Sequence, residues 1–187
     1  VKNTFKVIVW VIRGIPLMLQ LFMVYFLPGL LSKSSSFWGD IDNLMYFKYG
    51  IDFGAAFIAT VIAFVINYAA YFSEIFRGAI ESVPKGQYEA GKVLGMTKRQ
   101  IFRRVILFQV IKKSLAPVSN EVITLVKDTA LASTAGVIEL YTSAQSLVNT
   151  YVVLTPLFYA AIFYLVFNGL LTILFAFLEK KMNFYRE

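Results

Sequence analysis

The chain has 187 residues, of which 58% are hydrophobic, 17% are aromatic and only 16% are charged. Soluble domains carry about 25% charged residues, so this balance indicates a membrane protein. Cysteine and histidine are both absent, which excludes disulfides, thiol catalysis, Cys/His zinc sites, haem ligation and a Ser-His-Asp triad. We therefore expect no enzymatic chemistry in this chain.

Hydrophobic stretches recur along the whole chain, and a membrane-spanning helix needs roughly 20 apolar residues. We predict four hydrophobic units, at 8–31, 51–76, 114–147 with an interruption near Lys127, and 155–178. The segment 32–50 is rich in Ser, Gly, Asp and Asn, so we expect it to lie outside the membrane. The predicted fold class is all-α, a polytopic transmembrane helical bundle formed by a single domain over 1–187.

The positive charges are distributed unevenly between the two sides of these units. Of the 18 Lys and Arg residues, 15 lie on the side that contains the segment 82–112 and the C-terminus, and Lys33, Lys48 and Lys127 lie on the other side or in the membrane. Because Lys and Arg accumulate in cytoplasmic loops, we expect this segment and the C-terminus to be cytoplasmic. Topology then explains the net charge of +7, and we expect no nucleic-acid partner.

The cytoplasmic segment, about 82–112, predicts two short helices joined at a glycine. Helix-breaking residues at 82–86 precede a helical stretch at 87–94 that is too short to cross a membrane, and Gly95 ends it. Thr97 is a suitable N-cap for the second helix. The apolar stripe of that second helix consists of Ile101, Phe102, Val105 and Ile106. We call this segment the knob. It can dock to another protein, or it can lie as an amphipathic helix on the membrane surface.

A phosphate-loop pattern inside this segment is incomplete. Residues 86–93 fit G-x-x-x-x-G-K, but Val93 stands where a Ser or Thr hydroxyl is needed to bind magnesium. We therefore expect no nucleotide or other cofactor to be bound by this chain.

The third hydrophobic unit carries polar residues at helical spacing. At about 100° per residue, Asn120, Thr124 and Lys127 form one stripe, and Glu121 and Asp128 form the adjacent one. The apolar part before Lys127 is shorter than a membrane core, which places Lys127 and Asp128 within the membrane's depth. Ionisable residues at that depth usually serve function. We also expect a helix break around 128–129, as in the discontinuous helices of transporters.

An amino acid fits this set of groups, because it carries an ammonium and a carboxylate. Glu121 or Asp128 suits the ammonium, Lys127 suits the carboxylate, and Asn120 suits either. The alternative is structural: Lys127 and Asp128 end a helix at the outer interface, and Glu121 forms an internal pair. We interpret Arg13 and Arg77 as residues that reach lipid phosphates, with Glu74 pairing with Arg77.

Several motifs, in order, resemble one known family. Glu89-Ala90-Gly91 followed by Gly95 is similar to the EAA signature of bacterial ABC-type importer permeases. Within that family, four segments resemble the polar amino-acid uptake permeases: RGIPLMLQLFMVYF (13–26), AAYFSEIFRGAIESVPKGQYEAGKVLG (69–95), NEVITLVKDTALAS (120–133) and GVIEL (136–140). Two positions depart from the family pattern, since Gly91 replaces the usual Ala and Phe108 replaces the usual Pro.

The resemblance implies the permease subunit of an ATP-driven amino-acid importer in the bacterial cell membrane. It implies that Glu89, Ala90, Gly91 and Gly95 couple the chain to an ATPase. It also implies that the polar segment with Asn120, Glu121, Thr124, Lys127 and Asp128 holds the substrate.

The expected partners are two ATP-binding subunits that carry ATP and magnesium, a second permease copy or paralogue, an extracellular amino-acid-binding protein, and membrane lipid. The family has one further span upstream of Arg13, which we expect to be missing from this chain.

Two other function classes fit the residues. An ion-coupled secondary transporter would use the same polar residues without an ATPase, and a membrane anchor would recruit a soluble protein to the knob without transport. For the two departures we expect that Gly91 loosens the first short helix by up to about 1 kcal/mol relative to Ala. Phe108 should allow the second helix to continue where proline would end it.

Overall fold

The computed structural model describes residues 2–32, 37–50 and 54–182, and its regular structure in these ranges is helical. The helices are α1 (Lys2–Gly14), α2 (Leu17–Ser32), α3 (Phe37–Tyr49), α4 (Ala55–Glu81), α5 (Lys85–Val93), α6 (Lys98–Ile101), α7 (Leu107–Asp128), α8 (Leu140–Tyr151) and α9 (Thr155–Met182). A π-turn (Phe102–Ile106) precedes α7, and a 3-10 helix (Thr129–Ala135) follows it. The all-α prediction is confirmed.

The chain divides into two compact units. The first comprises Val1–Tyr71 and Val126–Tyr164, and the second comprises Phe72–Leu125 and Leu165–Glu187. Among the described residues, α4 and α9 are each long and apolar enough to cross a membrane. Most residues of α9 are exposed, and Ala160 is its buried residue, as expected for a helix whose surroundings are lipid.

The first predicted hydrophobic unit, 8–31, contains a break that the sequence analysis did not predict. It forms α1 and α2, and the helical axes of the two are bent by 104° at the break before Leu17. The cause is Pro16, whose missing N–H leaves the carbonyl of Ile12 without its helical donor. The side-chain amide of Gln20 supplies the replacement, donating to the oxygens of Ile12 at 2.6 Å and Ile15 at 2.8 Å.

A second proline is compensated in the same way. Pro28 lies inside α2 and deprives the carbonyl of Val24 of its helical donor. The indole nitrogen of Trp38 in α3 donates to the carbonyl oxygens of Val24 at 3.1 Å and Tyr25 at 2.9 Å. The segment predicted as a loop at 32–50 therefore includes a helix that is hydrogen-bonded to α2. Its position outside the membrane stays a prediction.

The predicted break around 128–129 is confirmed. The α-helix α7 ends at Asp128, the 3-10 helix follows, and Gly136 ends that helix with a φ of +88°. The next helix, α8, starts after Glu139, whose carboxylate accepts the backbone N–H groups of Tyr141 and Thr142, both at 2.7 Å. The polar end of α7 thus lies in a chain segment where helical geometry changes.

The bend between α1 and α2 should depend on Gln20, which is buried at 8% exposure. We expect Gln20→Leu to destabilise the protein by about 1–3 kcal/mol, because it leaves two carbonyl oxygens without their donor. The measurement is the thermal unfolding of the purified protein in detergent. Gln145→Leu is the matched control, since Gln145 is exposed on α8; equal unfolding temperatures for both variants would contradict the prediction.

Candidate functional site

The predicted glycine turn of the knob is present. The helix α5 ends in a Schellman motif, in which the N–H of Met96 donates to the carbonyl of Gly91 at 3.0 Å and the N–H of Gly95 donates to Lys92 at 2.9 Å. Gly95 has a φ of +72°, a conformation that costs other residues roughly 1–2 kcal/mol. The glycine therefore allows the chain to reverse between α5 and α6.

The predicted N-cap at Thr97 is also confirmed, and it is half of a capping box. The Thr97 hydroxyl accepts the backbone N–H of Gln100 at 3.4 Å, and the Gln100 side chain accepts the backbone N–H of Thr97 at 2.8 Å. Both donors at the start of α6 are thereby satisfied. The position of the second knob helix is thus fixed by local hydrogen bonds.

The inner side of the knob packs against the end of α4 and the start of α7, within the second unit. Ile101 is only 1% exposed, and Ile106 is fully buried. They form a cluster with Ala79 and Val83 at the end of α4 and with Val110 in α7. The predicted apolar stripe is largely confirmed, although Phe102 is exposed. The knob is therefore packed directly onto both helices that carry it.

The π-turn explains how Ile101 and Ile106 reach the same cluster. In an α-helix, residues five apart point about 140° away from each other. The π-turn at Phe102–Ile106 uses i→i+5 hydrogen bonds, so five residues complete about one turn. The sequence analysis did not predict this turn. The feature that could have indicated it is the separation of five residues between Ile101 and Ile106, which are both large and apolar.

The prediction that the helix continues past Phe108 is confirmed. The segment from Lys98 is helical through the π-turn and α7 up to Asp128. Phe108 lies near the start of α7 and is exposed. Motion of α6 can consequently act on α7 without an intervening loop.

Gly91 has a packing role that the sequence did not indicate. It is buried, and an added Cβ would lie 2.7 Å from Cγ1 and 3.0 Å from Cδ1 of Ile101. The two short helices approach closely because residue 91 lacks a side chain. The expected loosening of α5 concerns only helix propensity, whereas this contact stabilises the pairing of α5 with α6.

The outer side of the knob is exposed and combines apolar with basic groups. Val93 and Leu94, at the tip, are 88% and 78% exposed. Six basic residues of the knob are also exposed: Lys85, Lys92, Lys98, Arg99, Arg103 and Arg104. Glu89 and Ala90 of the predicted coupling motif are exposed as well. Adjacent exposed apolar residues of this size are typical of protein contact sites.

One polar contact joins α7 to the residue that follows α4, and two ion pairs lie within α4. The Lys113 ammonium group donates to the carbonyl of Ser82 at 2.8 Å, just beyond the carboxyl end of α4, where a positive charge is favourable. Arg77 forms ion pairs with Glu74 and Glu81, so the predicted pair of Glu74 with Arg77 is confirmed. Sequence reasoning did not identify the contact of Lys113.

The five predicted substrate residues all lie in the last turns of α7. Asn120 and Lys127 are exposed, whereas Glu121, Thr124 and Asp128 are half-buried. Asn120, Glu121 and Thr124 belong to the second compact unit, and Lys127 and Asp128 belong to the first. The half-burial of two carboxylates is costly unless they are hydrogen-bonded or meet a cation.

Asp128 has a partner that sequence reasoning missed. The hydroxyl of Tyr68 in α4 donates to Oδ2 of Asp128 at 2.8 Å. A tyrosine inside an apolar helix requires a partner for its hydroxyl. The sequence therefore indicated that Tyr68 has a hydrogen-bond partner, but not which residue it is. One turn further along α4, the guanidinium of Arg13 lies over the ring of Tyr71, 5.0 Å from its centroid. Arg13 thus has a protein contact in addition to the expected lipid phosphates.

A polar groove of about 560 Å³ lies on the first unit. Its lining is uncharged and consists of Ser133, Tyr141, Thr142, Gln145, Ser146, Asn149 and Thr150. Within the described ranges, no group of three or more His, Cys, Asp or Glu residues is arranged to hold a metal ion.

Comparison with known proteins gives a consistent result. Residues 1–184 match the family described as "Binding-protein-dependent transport system inner membrane component". The chain is 39% identical over 184 residues to the L-cystine transport system permease protein TcyB of Bacillus subtilis, which covers 97% of this chain and 70% of TcyB. It is 34% identical over 185 residues to the arginine ABC transporter permease protein ArtM of Escherichia coli, covering 94% of this chain and 78% of ArtM.

A third relative is the octopine transport system permease protein OccM of Rhizobium radiobacter, at 36% identity over 172 residues, covering 91% of this chain and 66% of OccM. Among solved structures, the chain is similar to one described as a crystal structure of an amino acid ABC transporter with histidines. The TM-score is 0.73 at 33% identity, covering 94% of this chain and 74% of that one. The similarity supports the helical fold described above.

The close approach at Gly91 predicts an unusual effect of alanine. Gly91→Ala gains about 1 kcal/mol of helix propensity, but it overpacks the contact with Ile101, which typically costs 1–3 kcal/mol. We expect a net loss of stability, because Cγ1 of Ile101 cannot move away without rotation of a buried, β-branched side chain. Thermal unfolding of the purified protein in detergent measures the change.

The matched test is the double variant Gly91→Ala/Ile101→Ala, in which the clashing atoms are absent. We expect the double variant to lose less stability than the sum of the losses in the two single variants. Strict additivity would show that the two side chains do not interact.

Proposed function

Because the chain belongs to the family of binding-protein-dependent transport system inner membrane components, we propose that it forms the translocation pathway of a polar amino-acid importer. It is a multi-pass inner-membrane permease component of an ABC transport system and is not an enzyme. Systems of this kind work with an ATPase and a binding protein. Family membership argues against the ion-coupled transporter and the passive membrane anchor.

The observation that carries the coupling role is the knob itself. Its inner side is fixed to α4 and α7 through Ile101 and Ile106, whereas its tip at Val93 and Leu94 is exposed. A rigid element with an exposed apolar tip suits docking to a partner, since buried apolar anchors dominate interface energies. We infer that the ATP-binding subunit receives this tip and that the exposed basic residues of the knob contact acidic groups of that subunit.

Motion of the ATPase would then act on the helices at the base of the knob. The cluster with Ala79 and Val110 and the bond from Lys113 to Ser82 resist sliding between knob and helices. Closure of two ATPase subunits would move the knob as a rigid body and, with it, the start of α7. In this proposal a second permease copy or paralogue completes the pathway, and the knob and the C-terminus face the cytoplasm.

The polar end of α7 is the proposed substrate site. The relatives' names specify cystine, arginine and octopine, and polar amino acids with an ammonium and a carboxylate fit the same groups here. Glu121 and Asp128 would accept the ammonium, Lys127 would donate to the carboxylate, and Asn120 and Thr124 would add hydrogen bonds. A cationic ligand would be favourable beside these half-buried carboxylates, which supports the assignment.

The coupling role predicts a defect for Gly95→Val. A β-branched side chain is strained at a φ of +72°, so the turn should open and the tip should move. We expect substrate-stimulated ATP hydrolysis by the assembled transporter to fall severalfold or more, while the complex still inserts into the membrane. Gly86→Val is the control, because Gly86 is in the same knob, with open space around its Cα and no positive φ. If substrate stimulated ATP hydrolysis in Gly95→Val as strongly as in the wild type, the coupling role would be contradicted.

The substrate site predicts a loss of uptake in Glu121→Ala and in Lys127→Ala. Hydrogen bonds to charged groups contribute about 1.5–3 kcal/mol, so each substitution should reduce uptake of the preferred amino acid about tenfold or more. Uptake into proteoliposomes that contain ATP measures the effect across a panel of amino acids. Glu179→Ala and Lys180→Ala, both at the end of α9, are the matched controls; unchanged uptake in both α7 variants would reject the site.

A further inference from the structure

Tyr68 is held in place by its neighbours on α4. It is only 6% exposed, and its ring stacks on that of Phe64, with centroids 6.1 Å apart and planes 11° apart. On the other side the ring of Tyr71 lies 6.4 Å away at an angle of 39°. These residues are four before and three after Tyr68, so one helix positions all three rings. The hydroxyl of Tyr68 therefore has a well-defined position.

Asp128 lies at the junction between two kinds of helix. It is the last residue of α7, and the 3-10 helix follows directly at Thr129. Its carboxylate accepts the hydrogen bond from Tyr68 at 2.8 Å. An ionised carboxylate can accept about four hydrogen bonds, so one donor leaves capacity for a cationic group.

We propose that Tyr68 is a positioning residue that orients the Asp128 carboxylate toward the ammonium group of the transported amino acid. This inference rests on the proposed substrate site at the end of α7. Without the hydroxyl, Asp128 would sample several side-chain rotamers, and an incoming ammonium would have to order it at the expense of affinity. Preorganisation by Tyr68 selects ligands that carry an ammonium over otherwise similar ligands that lack one.

A purely structural role is the competing explanation, since the same hydrogen bond joins α4 to α7 across 60 residues of sequence. The two explanations differ in what Tyr68→Phe changes. A structural bond would affect stability and all ligands equally, whereas a positioning bond affects ammonium-bearing ligands through Asp128. Tyr68→Phe keeps the ring and its stacking, so it removes the hydroxyl alone.

The experiment uses the assembled transporter with its ATPase, reconstituted into proteoliposomes, and compares wild type, Tyr68→Phe, Asp128→Asn and the double variant. The probes are radiolabelled L-arginine and L-cystine. We expect Tyr68→Phe to reduce uptake about tenfold, and the same substitution in the Asp128→Asn background to have no further effect. Tyr71→Phe is the matched control, because it removes a hydroxyl one turn away and retains the ring under Arg13; it should change uptake less than twofold.

A second measurement covers the case in which Asp128→Asn abolishes uptake. Binding of radiolabelled L-arginine to the purified complex, without the binding protein, is competed by unlabelled L-arginine or by 5-guanidinopentanoate, which lacks the α-ammonium. We expect Tyr68→Phe to lower the preference for L-arginine over this analogue about tenfold. An unchanged preference would overturn the inference.

The outcomes separate this inference from the proposed site. If Asp128→Asn transports normally, the substrate site itself is wrong. If Asp128→Asn is impaired and Tyr68→Phe is not, the site stands and the positioning role fails. If the fold-losses of uptake from the two substitutions multiply in the double variant, Tyr68 acts independently of Asp128 and the positioning role fails.

Discussion

The fold depends on satisfying backbone hydrogen bonds in surroundings that supply no water. Inside a bilayer, each unpaired carbonyl or N–H costs several kcal/mol, so helices can be interrupted only where other groups replace the lost partners. Pro16 and Pro28 both interrupt the chain in this way. The side chains of Gln20 and Trp38 donate to the carbonyl oxygens that each proline leaves unpaired. The bend between α1 and α2 and the placement of α3 both follow from this requirement.

The same requirement applies to the polar end of α7, which is the proposed substrate site. The change from α-helix to 3-10 helix at Thr129 interrupts the regular backbone pairing, and side chains replace the missing partners: a hydroxyl group donates and a carboxylate accepts. The hydroxyl of Thr129 donates to the carbonyl of Val126 at 2.7 Å, and Glu139 caps the start of α8. A helix with irregular ends can present polar groups inside a membrane at little cost, and this permits a site for a charged ligand.

Features set by neighbouring residues were predictable from the sequence. The turn at Gly95, the cap at Thr97 and the end of α7 near Asp128 each depend on the properties of one or two adjacent residues, and all three predictions are confirmed. The two long apolar helices α4 and α9 were also readable, because they reflect composition alone. The break at Pro16 was missed although the proline itself was visible, since the apolar composition continues across it.

Features that depend on distant residues were not predictable from a single sequence. The bond between Tyr68 and Asp128, the bond from Trp38 to Val24 and the contact of Ile101 with Gly91 join separate elements. A local pattern contains no information on which of many apolar or polar side chains will meet. Gly91 illustrates the limit: its sequence position suggested only weaker helix propensity, whereas its three-dimensional neighbour makes the missing side chain favourable.

The π-turn before α7 has a consequence for how the sequence can change over evolution. Phe102–Ile106 accommodates one residue more than an α-helical turn would. Loss of a single residue here would replace the five-residue turn by a four-residue α-helical turn and leave the helix beyond it near its present orientation. Loss of a residue from the regular first half of α7 would instead rotate the rest of that helix by about 100° relative to α6. Glu121 and Asp128 would then face different neighbours, although neither had been replaced. A deletion within the π-turn should therefore be tolerated better than a deletion farther along α7.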